Sequence, residues 1–536
     1  MRTRALPFIL LALLACPPLQ RCARAETTDA ILDSLQYGAF RYFWDEANPA
    51  NGLIHDRSQP GSVCSIASTG FGLSAICIGV DHGWVTRAGA RTRVLTTLQT
   101  FWNGPQGSGA SGFIGFIGLY YHWLDMTTAT RTWDSELSTI DTALLFAGML
   151  DAKQFFDTAD PGEVQIRALA DSIYRRASWF QMRNFSAGIY MGWKPVGGFN
   201  GFGKWTGYNE AMILYLLAIG APVASKAAPG SDWSFWTANY NWSTQYGYTY
   251  VNFPPLFGHQ YSHCWIDFRG AKDAYMRQAN HNIDYFENSR RATLAQQAYC
   301  IANPSGFVGY SDTLWGITAS DCPSGYCARG APPPQGDNGT IAPTAVAGSL
   351  PFAPEICIPT LRSLYNTYKS GPLWSKYGFR DAFNLTSNPD WYGADVLGID
   401  QGPIIIMIEN YRTGNVWRRF MRNPEILQGL LKAGFSGGAL AVGDAPAPAP
   451  AGVLLPAAPN PFSDHTTLRY RLADAARVRL AVFDVSGREI ALLVDGEQPA
   501  GEHEASFRGG ALPSGIYYCR LQAGAGSSGR WIARMR

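Results

Sequence analysis

Charge is scarce in this chain. Only 16% of its 536 residues are charged, and 43 Lys and Arg against 41 Asp and Glu leave a net charge of +2. No basic run or patch is visible, which excludes the electrostatic footprint of a nucleic-acid binder. Motifs for metals and nucleotides are missing too. There is no C-x-x-C, and the ten cysteines have no zinc-site spacing. No GxSxG, HExxH, P-loop or dinucleotide fingerprint stands out in a context that would give it its chemistry. The turn-like segments 337–343 and 495–501 lack the alternating ligands of a calcium loop. No metal and no other cofactor is expected. Beyond the first 25 residues the apolar stretches are interrupted by Gly and polar residues, so they read as buried helices rather than membrane spans.

What is present points to an exported protein. Arg2 and Arg4 precede the apolar run LPFILLALLA, and Ala23-Arg24-Ala25 offers an A-x-A cleavage site. Residues 1–25 therefore read as a signal peptide. Leu13-Leu14-Ala15-Cys16 offers a competing lipoprotein reading. Either way the protein is expected to be secreted, periplasmic or at the cell surface. Export permits disulfides, and Cys322 and Cys327, enclosing a short loop, are the best candidate pair. Cys519 reads as a buried thiol.

The length implies more than one domain. An Ala/Pro-rich stretch at 439–457 reads as a linker. After it the pattern turns to period two, as in TTLRYRLA, ARVRLAVFDV and GIYYCRLQA, and six or so short strands make a small β-sandwich over 458–536. Before it, 26–438 is helical in pattern. Helices apolar nearly all round, such as GFGLSAICIGV and NEAMILYLLAIG, alternate with amphipathic ones such as EVQIRALADSIYRR. The first kind is expected inside and the second outside. The fold class expected is mainly α: an (α/α)6 barrel or toroid, followed by an Ig-like β-sandwich.

Three apolar helical segments carry acids at or near their starts: 131–150, 207–220 and 398–411. Acids are common at helix starts because the dipole favours them. On buried helices, however, an acid is costly unless paired or facing a wet cavity. The cluster Asp134, Glu136, Asp141, Glu210 and Asp400 suits a glycosidase, which needs one protonated carboxyl and a second group to handle the nucleophile. Glu210, at the start of a very apolar helix beside Trp205 and Tyr208, is the expected general acid. Asp400 or Asp141 is the expected base, and Asp141 is placed well inside its helix, on the face of Asp134. Asp134 and Glu136 are expected as pocket helpers. Arg57, Trp205, Tyr208, His263, Trp315 and Asp321 are further substrate-binding candidates, with Trp133 as another stacking platform. For each Trp the alternative is a place in the core, and for Arg57 a structural ion pair.

Several stretches carry a family resemblance: GLIHDRS (52–58), SIASTGFGLSAICIGVDHGW (65–84), SELSTIDTALLFAG, YNEAMILYLLAIG, WGITASDCPSGY (315–326), DNGTIAPTAVAGSLPFAPE (337–355) and GIDQGPIIIMIENYRTG. Together, over roughly 30–435, they resemble the glucoamylase-like bacterial family that includes the glycoside hydrolase family 144 endo-β-1,2-glucanases. The resemblance implies an (α/α)6 barrel and an inverting glycoside hydrolase. The expected activity is cleavage of β-1,2-glucan, internally, releasing sophoro-oligosaccharides. The readings left open are an exo-acting sophorose-releasing enzyme, a transglycosylase, a polysaccharide lyase and a non-catalytic glycan-binding protein. The tail motifs Pro459-Asn460-Pro461-Phe462, Val482–Arg488 and Pro513–Tyr518 resemble the FlgD-type Ig-like domain and the type IX secretion sorting domain. They imply contact with secretion machinery or an anchor. The expected partners are otherwise a β-glucan substrate and no nucleic acid, with the chain acting as a monomer.

Overall fold

A computed structural model of the chain describes residues 26–278, 282–440, 452–455, 457–472, 475–484, 488–523 and 526–535. The signal segment 1–25 with its lipoprotein motif, most of the expected linker, and part of the motif at 482–488 lie outside the described residues. The chain divides into two compact units, Met1–Leu440 and Ala441–Arg536.

The first unit is an α/α toroid. Its inner helices are buried around nearly their whole circumference. These are α2 (Ile66–Asp81), α4 (Thr139–Phe155), α6 (Met212–Gly220), the short α8 (Phe257–Gln260), α11 (Pro343–Ala347) and α13 (Gly398–Arg412). Nearly every residue of α2, α4, α6 and α13 is buried, as expected of a helix with protein on all sides. Around them lie α1 (Thr28–Asp45), α3 (Arg87–Asn103), α5 (Pro161–Arg176), α7 (Ser231–Thr237), α10 (Tyr285–Ala302) and α12 (Pro354–Tyr368). Helix α5 shows why an outer helix looks different. It buries only Glu163, Ile166, Ala170, Ile173 and Tyr174, one stripe at helical spacing, and keeps Arg175 and Arg176 at its C-terminal end. Three more helices are α9 (Ala274–Gln278), α14 (Asn415–Phe420) and α15 (Pro424–Lys432).

Glycine brings inner helices together. A Cβ on Gly70 of α2 would stand 2.3 Å from the Leu144 carbonyl oxygen, and one on Gly148 of α4 1.9 Å from that of Gly70. Only hydrogen fits at both positions, so the two backbones meet directly.

Helix starts differ from the sequence expectation at two places. Helix α4 begins at Thr139, not near 131, because Ser138 caps it by accepting from the Asp141 N–H. Asp141 therefore lies in the first turn rather than well inside the helix, and Asp134 and Glu136 sit in the approach to it. The sequence over 274–299 reads as one long helix, but the structure has two there, α9 and α10, the second capped by Asp284.

The second unit is a β-sandwich. A three-stranded sheet (Gly452–Leu454, His465–Leu472, Gly501–Arg508) faces a four-stranded one (Ala476–Phe483, Glu489–Gln498, Gly515–Ala523, Gly526–Arg534). Alternate residues such as Leu468, Tyr470, Leu472, Val478, Leu480, Val482, Cys519 and Leu521 form its core. The strand Gly452–Leu454 arises inside the stretch read as linker, where GVL interrupts the Ala/Pro repeat and pairs with Leu472, Arg471 and Tyr470.

The expected Cys322–Cys327 disulfide is not formed, and both thiols are free. The loop they enclose is a turn in which Cys322 Sγ lies 3.1 Å from the Gly325 carbonyl, while Arg329 donates to Cys327 Sγ at 3.0 Å.

Candidate active site

The starts of the inner helices converge on a cavity of about 730 Å³. All but α11 contribute residues at their starts: Ser65 before α2, Ile140, Asp141 and Leu144 of α4, Glu210 before α6, Phe257 of α8, and Leu397 and Ile399 at α13. Loops complete the wall with Asp56, Arg57, His122, Trp123, Trp133 and Tyr326. The helix starts point their positive dipole ends toward this space, which favours negative charge there.

Glu210 sits in the turn ahead of α6. The turn is held by Asn209, whose side chain accepts from the Ala211 N–H at 2.9 Å, and by the Ser262 hydroxyl, which donates to the Glu210 carbonyl at 3.1 Å. Its carboxyl reaches the cavity but is walled by protein. Burial, with Asp141 nearby adding repulsion, raises its pKa to about 7. Among the described residues it forms no ion pair.

Asp141 is the second carboxylate on the cavity. The Ser138 hydroxyl donates to it at 2.5 Å, and His122 Nε2 lies 3.6 Å away. The other nitrogen of His122, Nδ1, is 2.9 Å from Glu136. Burial alone would lower the His122 pKa, but Asp141 and Glu136 outweigh it and raise it to about 9. The ring is thus an imidazolium at neutral pH, holding Asp141 in place and stacked on Trp123 with centroids 3.8 Å apart. Glu136 is held below the usual carboxylate range, its burial opposed by the His122 hydrogen bond. His122, Glu136 and Asp141 bring their ligand atoms within 4.8 Å of one another. Here the ring sits between the two carboxylates and bridges them.

Asp400, in the first turn of α13, lies behind the wall rather than on it. It is paired with Asp381, an acid that no helix pattern marks. Asp381 Oδ1 and Asp400 Oδ2 are buried and otherwise without a partner. Burial, with repulsion from Asp381, pushes Asp400 well above the usual carboxylate range; burial, with repulsion from Asp321 and against the hydrogen bond with Asp400, lifts Asp381 up to about 7. Below about pH 7 both carboxyls are therefore protonated, and above it the two share one proton, held chiefly by Asp400. Asp381 is fixed from its other side by the Asp321 N–H at 2.6 Å. Next to the pair stands Arg57, on the cavity wall, reaching Asp56 at 3.3 Å, Asp321 at 3.2 Å and Asp395 at 3.4 Å. Burial opposes its charge, but the three acids outweigh it and keep the guanidinium protonated.

The structure thus brings Glu210, Asp141 and Arg57 to one cavity, with Asp400, Asp321 and Glu136 immediately behind its lining. The remaining expected binding residues are elsewhere. Trp205 is buried, its Nε1 donating to Thr139 Oγ1 at 3.0 Å, where it braces the start of α4. Tyr208 is packed among Trp236, Tyr240, His259 and Tyr285. Trp315 is fully buried and donates to Thr360 Oγ1 at 2.8 Å. His263 is buried beside Ser289, and burial drops its pKa to about 3. Asp134 is exposed, bound to Arg131 and Lys194 at 2.7 and 2.6 Å, and does not line the cavity. Trp133, by contrast, lines the cavity and is 68% exposed. Its φ of 54° places a bulky residue in the left-handed region, a strain that only surrounding structure sustains. Its ring meets Trp123 edge to face at 5.9 Å.

Comparison with known proteins bears on the family. A family model described as "Putative glucoamylase" matches residues 203–424, and one described as "Secretion system C-terminal sorting domain" matches 457–533. The exo β-1,2-glucooligosaccharide sophorohydrolase (non-reducing end) of Parabacteroides distasonis is 34% identical over 439 residues, covering 76% of this chain. The chain spans 58% of that relative's length. The crystal structure of a "putative glucoamylase" from Bacteroides uniformis superposes with a TM-score of 0.70 at 35% identity, covering 77% of this chain and 98% of that one. The endo-β-1,2-glucanase of Chitinophaga pinensis, solved with sophorotriose and glucose, superposes with a TM-score of 0.69 at 30% identity, covering 77% and 99%.

Proposed function

The chain belongs to the glucoamylase-like family, and we propose that its toroid hydrolyses β-1,2-glucan with Glu210 as general acid and Asp141 as general base. One observation carries this reading: Glu210, its pKa raised to about 7, shares a cavity with a second carboxylate on a neighbouring helix start. The relatives named for β-1,2-glucan supply the linkage.

At neutral pH Glu210 holds a proton and gives it to the glycosidic oxygen as the bond from that oxygen to the anomeric carbon breaks. Asp141 takes a proton from a water that attacks the anomeric carbon from the opposite face. Glu210 is left ionised and Asp141 protonated, and exchange with solvent resets both. This is single-displacement chemistry with inversion. Asp141 is preferred over Asp400 as base because Asp400 already carries the proton it shares with Asp381. The His122 imidazolium steadies the Asp141 carboxylate.

The cut is internal, as named for the Chitinophaga enzyme, and gives sophoro-oligosaccharides of mixed length. The Parabacteroides relative favours a second reading, release of the disaccharide from the non-reducing end. The tail acts as an export address, as its matching family describes. The test is a time course of β-1,2-glucan digestion by the full chain, with chromatography of products and NMR of the anomer first formed. Mixed oligomers early and an inverted anomer support the proposal. Disaccharide alone supports the exo reading, and a retained anomer overturns the inverting mechanism.

A further inference from the structure

A second cavity, of about 700 Å³, adjoins the first. Gln59 and Pro60 belong to both walls, so the exposed loop they form is the rim between them. Across from that rim stand Lys376, Tyr377 and Arg380. They come from a tight hairpin in which Trp374–Ser375 pairs with Gly378–Phe379. Gly378, at φ 93°, makes the turn possible and sets Lys376 at its exposed tip.

The charges of this second cavity are unevenly committed. Its two acids are already engaged. Glu46 accepts from the Tyr377 hydroxyl and lies 3.1 Å from His55 Nδ1. Asp395 accepts from Arg57 at 3.4 Å and from the Ser58 hydroxyl at 3.5 Å. Its two cations are not. Among the described residues neither Lys376 nor Arg380 forms an ion pair or a side-chain hydrogen bond, and Lys376 only lies over the Tyr377 ring at 4.4 Å. A neutral glucan offers nothing for two such cations to balance. An oxyanion does, and guanidinium and ammonium groups in a concave wall are suited to one.

We infer that this second cavity is a subsite for an oxyanion, a phosphate or carboxylate group, carried on a sugar of the glucan chain that crosses the Gln59–Pro60 rim from the catalytic cavity. The inference rests on the proposed glucan activity for the identity of the chain. It does not rest on that activity for the binding of the anion.

The test separates the two. Full-length Glu210→Gln protein, which is not expected to turn over substrate, is titrated calorimetrically with glucose 6-phosphate, glucose and inorganic phosphate. The titrations are repeated with Lys376→Ala and Arg380→Ala added together. Glucose 6-phosphate should bind more tightly than either control. Loss of both cations should weaken that binding tenfold or more, since each charge-assisted contact is worth about a factor of ten. Higher salt should weaken it as well. In the otherwise wild-type chain the double substitution should leave kcat/KM on unsubstituted β-1,2-glucan within about twofold. If the double variant does not fold, Lys376→Ala alone, at the exposed tip, should still weaken binding severalfold. Equal binding of inorganic phosphate and glucose 6-phosphate overturns the sugar-borne anion. Affinity unchanged without the two cations overturns the site. A wild-type chain that cleaves no β-1,2-glucan refutes the proposed function but leaves the titration to judge the subsite.

Discussion

The two ends of the inner helices treat buried acids in opposite ways. At their starts, Glu210, Asp141 and Asp400 face or back a cavity with few cations. At their far ends Asp81 of α2, Asp151 of α4 and Glu409 of α13 also lie near one another, but nearly every oxygen has a partner. Arg419 grips Asp151 through two bonds of 2.6 and 2.9 Å and reaches Asp81 at 3.5 Å. His82 lies 2.8 Å from Glu409, which also accepts from Gln36 and the Thr413 hydroxyl. The far end needs this, because a helix C-terminus repels anions. Burial lifts Asp81 to about 6, while His82 and its neighbours outweigh burial and hold Glu409 near 2. The contrast teaches that acid density does not mark a site. What marks it is acids left short of partners beside open volume.

The sharpest way to break the comparison is to remove one acid from each end. Glu210→Gln should lower kcat/KM on β-1,2-glucan by roughly 10²–10⁴-fold, the usual worth of a general acid, while the protein stays folded. Turnover left intact would remove Glu210 from the chemistry. At the far end Arg419→Ala should leave Asp151 buried and unpaired and cost about 3–5 kcal/mol of stability, read by urea unfolding of the toroid. A loss under 1 kcal/mol would show that this end tolerates unpaired acids as the cavity end does, and the distinction would fail.

Much of this arrangement was legible in the sequence. The all-round apolar helices announced an inner ring, and the acids at their starts announced an acidic pocket. Glu210 and Asp141 could be placed on the pocket because they stand at the starts of such helices, whereas Asp151 and Glu409 stand at the far ends among structural partners. The errors share a cause. Trp205, Trp315, Tyr208 and His263 are core or bracing residues, and a ring's chemistry does not reveal which face of the backbone it occupies. Asp134 escaped by a shifted helix start, set by the Ser138 cap. His122, Asp56 and Asp381 were missed because they sit in short loops without periodicity, where only tertiary packing brings them to the cavity.

Acidity offers a finer probe of the same contrast. With Glu210 titrating near 7 in the free enzyme, kcat/KM should fall as pH rises above about 7, as the acid loses its proton. Stability should follow the same groups. The folded protein keeps protons on Glu210 and Asp381 up to about 7, whereas unfolded carboxyls release theirs near 4. Folding is therefore favoured at low pH by these two, and their contribution fades as pH climbs from about 4 to 7. Glu210→Gln should flatten that slope and raise Tm at pH 8 relative to wild type. A variant with an unchanged slope would mean that Glu210 is not held protonated by burial.

The smallest expected effect concerns Trp133. It is the most exposed aromatic on the cavity wall, and its backbone is strained. A residue held that way for packing would be buried, yet this ring faces solvent and meets protein chiefly through Trp123. The simplest use for it is as a flat apolar face against a sugar ring, worth about 1 kcal/mol or somewhat more. Trp133→Ala should then raise KM on β-1,2-glucan roughly fivefold to tenfold with kcat nearly unchanged, since stacking holds ground state and transition state alike. Trp133→Gly should give the same KM and a higher Tm, because glycine accepts the positive φ without strain. If Trp133→Ala instead lowers kcat and leaves KM alone, the ring is acting through Trp123 and His122 on Asp141. The boundary between binding wall and catalytic acids would then have to be redrawn to include it.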